Sequence, residues 1–95
     1  MSYKLRFHEL ALAEWNGLDE SVRKPLKKKL AERLDNPRVP SAALSGMKDC
    51  FKIKLKRAGY RIVYRVDDDI VYVTVIAVGK REKSRVYDVA HKRIS

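Results

Sequence analysis

Four basic side chains stand out by type and spacing. Lys52 and Lys54 alternate with Phe51, Ile53 and Leu55, so on a strand both amines leave the same face. Ala58-Gly59 offers a tight turn, and the returning run carries Arg61 on the neighbouring strand, on a face that can coincide with that of the lysines. Arg81 emerges two residues past Gly79, after a third run. Cations gathered on one surface disfavour each other's charge, which moves a lysine toward the neutral, basic form. Arginine keeps its charge and clamps phosphate. The chemistry such a group would do is therefore on a phosphodiester. The row Lys52, Lys54, Lys56 also fits a solvated strand face, or an edge protected against aggregation. The residues alone leave both readings open, and binding of nucleic acid or ribosome without chemistry is the plainer one.

The other candidates are weaker. Tyr87 flanks an apolar stripe near the C-terminus, with its ring toward the core and its hydroxyl toward water. His8 and His91 lie at opposite ends of the chain without metal-spaced partners, and His8 suits a cap at a strand-to-helix junction. Trp15 reads as helix packing. Cys50 has no histidine in sequence reach and reads as a small buried hydrophobe.

The elements that must position these groups follow from periodicity. Tyr3, Leu5 and Phe7 alternate with Lys4 and Arg6, as in a half-buried strand. Ala11, Trp15 and Leu18 share one helical face, with Gly17 as a stop. Val22, Leu26, Leu30 and Leu34 mark a second helix; Pro25 predicts a late start, with Ser21 as N-cap. Asn36-Pro37 ends it, and residues 37–49 read as a loop. Three strands follow. On the second of them Tyr60, Ile62, Tyr64 and Val66 point inward and Arg61, Val63 and Arg65 outward. Asp67-Asp68-Asp69 turns the chain into Ile70–Val78, apolar on both faces as a strand covered on two sides would be. Val86, Val89, Ala90 and Ile94 form a final helical stripe. The expectation is a small α+β domain over residues 1–95: an N-terminal strand, a helical hairpin, an antiparallel three-strand meander and a C-terminal helix, the helices against one face of the sheet.

Composition sets the bounds. The 95 residues hold 22 lysines and arginines against 12 acidic residues, a formal charge of +10, and the excess falls mostly in the second half. A polyanionic partner is implied: nucleic acid, an anionic membrane or an acidic protein. The longest apolar run, Ile70–Val78, is far short of the roughly 20 residues a spanning helix needs. With one cysteine there is no internal disulfide and no cysteine zinc site. The N-terminus lacks the apolar stretch of a signal peptide. These features point to a cytoplasmic protein without a membrane partner.

The run from Leu44 to Val66, with Lys52, Lys54 and Gly59-Tyr60-Arg61, and the run from Val78-Gly79-Lys80-Arg81 to Tyr87 resemble the RelE toxins of bacterial toxin–antitoxin systems. The likeness extends over nearly the whole chain, through the helix carrying Lys27-Lys28-Lys29-Leu30. The Gly-Tyr-Arg and Val-Gly-Lys-Arg signatures are shared across the RelE/ParE superfamily; Lys52, Lys54 and Tyr87 together mark the RelE branch. The resemblance implies a ribosome-dependent endoribonuclease that cuts mRNA in the A site and halts translation, with functional side chains at Lys52, Lys54, Arg61, Arg81 and Tyr87. Many relatives place a histidine near the C-terminus as base; this sequence has Tyr87 instead, so Lys54 and Tyr87 both stand as candidates for the base. No metal or cofactor is implied. The implied partners are a RelB-like antitoxin that wraps the toxin and disturbs its last helix, the ribosome with its rRNA, A-site mRNA, and operator DNA through the antitoxin complex. Two rivals remain at this point: a ParE-type toxin directed at gyrase, and a non-catalytic basic module. A DNA-binding regulator lacks a recognition-helix motif.

Overall fold

The computed structural model describes residues 2–80 and 85–94. Strand β1 (Lys4–Phe7) leads into helices α1 (Glu9–Asn16) and α2 (Glu20–Asp35). A 3-10 turn at Pro40–Ala42 precedes strands β2 (Cys50–Leu55), β3 (Tyr60–Asp67) and β4 (Tyr72–Lys80), and helix α3 (Arg85–Ile94) closes the chain. The sheet order is β1-β4-β3-β2. β2, β3 and β4 form the expected antiparallel meander, while β1 joins parallel to β4, Lys4 facing Tyr72 and Phe7 facing Val75.

The sheet is covered on both faces, not on one. Helices α1 and α2 cover a cluster that includes Leu26, Leu30, Ile53, Ile62, Tyr64, Val73 and Val75. Helix α3 covers a second cluster of Met47, Cys50, Val63, Ile76 and Ala77 on the opposite face. Two coverings explain why β4 is apolar on both sides, and they correct the outward reading of Arg61 and Val63: both are buried, at 8% and 0% exposure. A register shift at Val63/Tyr64 pairs Val63 with Ala77 but Tyr64 with Val75. Ile76 is the extra residue of this bulge, and it turns toward α3 along with Ala77.

Local boundaries differ from the expectation in two places. Helix α2 starts at Glu20 with Asp19 as N-cap, so Pro25 lies inside it. Val22 and Arg23 both donate to the Asp19 carbonyl, and these bonds secure the turn ahead of the proline, which has no N–H of its own to give. Strand β4 starts at Tyr72 because Val71 takes a left-handed φ of 58°, ending the turn from Asp67. Other expectations match the structure. His8 caps α1, its Nδ1 accepting from Leu10 N–H at 3.2 Å. Gly59, at φ 69°, closes the β2–β3 hairpin by donating to the Lys56 carbonyl. No described helix is long and apolar enough to cross a membrane.

Candidate functional site

Period-two alternation places Lys52 and Lys54 on the α3 side of β2, the side of the buried Cys50. The ladder then fixes their neighbours. Lys54 pairs with Arg61, and Arg61 pairs with Gly79; Lys52 pairs with Val63, and Val63 with Ala77. Directly opposed side chains stand about 5 Å apart at Cβ, so Lys54 and Arg61 are immediate neighbours. A methyl group added at Gly79 would lie 3.8 Å from Val86 Cγ2. The first turn of α3 therefore rests on β4 at Gly79, the ladder partner of Arg61.

Arg61 is the unusual member. At 8% exposure its Nε is buried and has no hydrogen-bond partner among the described residues. A guanidinium does not shed its proton to escape burial, and an unpaired buried charge is expensive. The fold thus holds a largely buried arginine, its Nε unpartnered among the described residues, next to a lysine, an arrangement that suits an anion. Tyr87 is half-buried on α3, packed against the cluster on the same face of the sheet. Four of the five candidates, Lys52, Lys54, Arg61 and Tyr87, thus share one face. Arg81 lies outside the described residues.

Sequence reasoning missed Arg33. From α2, on the other side of the sheet, its Nη1 donates to the Lys52 carbonyl at 3.0 Å and to the Tyr64 hydroxyl at 2.9 Å. The Tyr64 hydroxyl donates in turn to the Pro37 carbonyl at 2.6 Å. Burial pushes the Tyr64 hydroxyl above its ordinary pKa, against the pull of Arg33, so it stays a donor. This chain pins the β2 backbone at Lys52. Around it a cavity of about 390 Å³ opens between α2 and β2, lined by Lys29, Arg33, Ser41, Lys52, Lys54 and Lys56, with Glu32 as the one acid. It carries the positive surface past the edge strand. Nothing in a single sequence marks Lys29 or Arg33, because α2 reaches β2 only through the tertiary fold.

The remaining polar groups lie elsewhere. Arg38 donates to Asp68 at 2.7 and 3.0 Å and to Asp49 at 3.0 Å, and the Tyr3 hydroxyl donates to Asp68 at 2.6 Å. The Arg38 bonds, then that of Tyr3, hold the Asp68 carboxyl below the usual carboxylate range. This network neutralises acid at the β3–β4 turn. The Cys50 thiol is buried, and desolvation pushes its pKa up, away from thiolate reactivity. Among the described residues no three His, Cys, Asp or Glu side chains gather as a metal site.

Comparison with known proteins gives the class, toxins of type II toxin–antitoxin systems. The family model for the "ParE toxin of type II toxin-antitoxin system, parDE" matches residues 5–85. The mRNA interferase toxin RelE of Escherichia coli (strain K12) is 56% identical over 94 residues, covering 99% of both chains. A free E. coli RelE carrying two arginine-to-alanine substitutions superposes with a TM-score of 0.92 at 55% identity, over the full length of both chains. The toxin in the intact E. coli RelBE toxin–antitoxin complex matches with a TM-score of 0.83 at 54% identity, over 85% of this chain and 99% of that one. This chain belongs to the RelE toxin family of the RelE/ParE superfamily.

Proposed function

We propose that this chain is the toxin of a type II toxin–antitoxin pair and cleaves mRNA in the ribosomal A site. The observation that carries the reading is the buried Arg61, its Nε without a hydrogen-bond partner among the described residues, paired across the ladder with Lys54. Family membership, through a relative named as an mRNA interferase, supplies the substrate class.

The reaction balances without an outside reagent. The 2′-hydroxyl of one nucleotide attacks its own 3′-phosphorus, so a 2′-O–P bond forms and the P–O5′ bond breaks. The 2′-proton goes to a base and the leaving 5′-oxygen gains a proton, giving a 2′,3′-cyclic phosphate and a 5′-hydroxyl. Lys54 is the base, standing directly across the ladder from Arg61. Arg61, largely buried, stabilises the charge that grows on the phosphoryl oxygens. Lys52, with its backbone held by Arg33, holds the phosphodiester backbone and adds to the field on Lys54. Tyr87 orients or stacks on the nucleotide. Arg81 contacts the phosphate, a role carried to it by family resemblance.

The net charge of +10 and the lysine-lined cavity beside β2 suit docking against rRNA. The RelBE complex of the relative supports a RelB-like antitoxin as partner; operator DNA reached through such a complex, and the cytoplasm as the site of action, are carried by family resemblance. The test is a pH–rate profile of cleavage on programmed ribosomes. Wild type should lose rate as pH falls and the base protonates. Lys54→Ala should lose about 10²–10⁴-fold and flatten that limb. A full rate for Lys54→Ala would remove it as base and leave Tyr87, to be tested by Tyr87→Phe.

A further inference from the structure

The face of α3 that meets the sheet is not apolar to its end. Val86 and Ala90 are buried at i and i+4, and position i+7 of the same stripe is Arg93. Its side chain is only 13% exposed, so the charge is met by built partners. Arg93 Nη1 and Nη2 grip the two carboxylate oxygens of Glu14, on α1, at 2.8 and 2.9 Å. Nη1 also donates to the Ile76 carbonyl at 2.9 Å, and the same Glu14 Oε1 accepts from Val78 N–H at 3.1 Å.

The position of this quartet gives it meaning. β1 stops opposite Val75, and beyond that point β4 has lost its neighbour on that side just where the bulge displaces Ile76. Glu14 and Arg93 bond the backbone there. Because Arg93 belongs to α3, the carboxylate fork and the bulge together fix where the helix lies along the sheet and how it is rotated. Little else does. Only two of its ten residues are buried, and a cavity of about 260 Å³ lies under its first turns, among Glu14, Val78, Gly79, Val86 and Val89. Tyr87 sits on that same short helix.

We propose that Arg93, clamped by Glu14 at the β4 bulge, is the positioning residue that sets α3, and through it Tyr87, over the Lys54–Arg61 row. The proposal rests on the reading of Tyr87 as a group at the cleavage site. It differs from a simple ion pair in one respect. Exchanging the charges should not restore it, because an arginine at position 14 cannot accept from Val78 N–H and a glutamate at position 93 would face the Ile76 carbonyl.

The test combines hydrogen exchange with single-turnover cleavage on programmed ribosomes. Arg93→Met should speed exchange of α3 amides about tenfold or more while β3 and β4 amides stay within about twofold, a local opening. Cleavage should fall about tenfold or more in kcat with KM nearly unchanged. In a Tyr87→Ala background the same substitution should cost less than about threefold, since both act through one group. Glu14→Arg with Arg93→Glu should recover neither signal. If Arg93→Met fails to fold, Arg93→Lys, which keeps the charge without the fork, carries the same comparison and should show the same losses in weaker form. Wild-type α3 exchange in either variant, full multiplication of the losses with Tyr87→Ala, or recovery in the charge-exchanged pair would overturn the proposal. A Tyr87→Ala variant that cleaves at the wild-type rate would instead overturn the reading of Tyr87, and with it this role for Arg93, whatever the exchange data show. Unchanged α3 exchange with an inactive Tyr87→Ala would overturn the clamp alone.

Discussion

Replacing Arg61 with methionine should move stability and activity in opposite directions. The residue is all but removed from water, at 8% exposure, with Nε unpartnered among the described residues and Lys54 directly across the ladder. Leaving a buried polar group unsatisfied costs about 1–3 kcal/mol, more where it is charged. Methionine keeps most of the apolar stem, so the packing of that stem is largely retained. Arg61→Met is therefore expected to be more stable than wild type by about 1–2 kcal/mol, the lower part of that range. For a domain of this size that is a rise of roughly 5–15 °C in Tm. Cleavage should fall about 10²–10³-fold, the loss typical when one donor to a developing oxyanion is removed. Urea unfolding monitored by circular dichroism, beside single-turnover cleavage on ribosomes, gives both numbers on one preparation. Stability lowered by more than about 1 kcal/mol, the usual result of a core substitution, would mean that Arg61 is a satisfied structural group and that its burial implies no waiting anion.

Three further outcomes follow from the geometry. Tyr64→Phe strips the Pro37 carbonyl of its 2.6 Å donor and Arg33 of one acceptor; it should cost about 1–2 kcal/mol in urea unfolding, and a loss below about 0.3 kcal/mol would mean the Arg33–Tyr64–Pro37 chain is not holding β2. Asp68 has a folded-state pKa held down chiefly by Arg38 and then by Tyr3, so its contribution is present above the unfolded value of about 3.9 and fades as pH falls through the folded one. Asp68→Asn should accordingly flatten the acid limb of the stability–pH curve below about pH 4, and an unchanged limb would show the network to be idle. Removing two amines of the α2–β2 cavity with Lys29→Ala and Lys56→Ala should weaken ribosome binding and reduce the slope of log K against log salt by about 2, one for each phosphate that is no longer neutralised; an unaltered slope would place rRNA elsewhere on the surface.

Much of this fold is legible in the sequence because local pattern and tertiary role agree. The alternation in residues 51–55 and 60–66, and the four-residue spacing from Val22 to Leu34, report faces that are in fact buried. The same alternation brings Lys52, Lys54 and Arg61 to one side of the sheet, as the ladder has them. What escapes is long-range. The parallel pairing of β1 with β4 joins residues at opposite ends of the chain, and no local pattern encodes it. The supposedly outward face of β3 is an interior because α3 folds back over it, and the two-sided apolarity of β4 is the one trace of that second layer. Pro25 misleads because proline signals a helix start, whereas one missing N–H inside a sixteen-residue helix is tolerable. Arg33 and Arg93 are invisible for a related reason. As residue types they look like surface charge, and their partners lie 19 and 79 residues away.

Cleavage of mRNA on the ribosome is tested most directly by primer extension. Messages held in ribosomes with an empty A site would be treated with wild type or Arg81→Ala, beside the same message free in solution. A cut within the A-site codon, dependent on the ribosome, weakened by Arg81→Ala and leaving a 2′,3′-cyclic phosphate, is the predicted result. An intact message under wild-type protein that still binds the ribosome would contradict the account and leave a binding module, or a toxin aimed at gyrase, in its place.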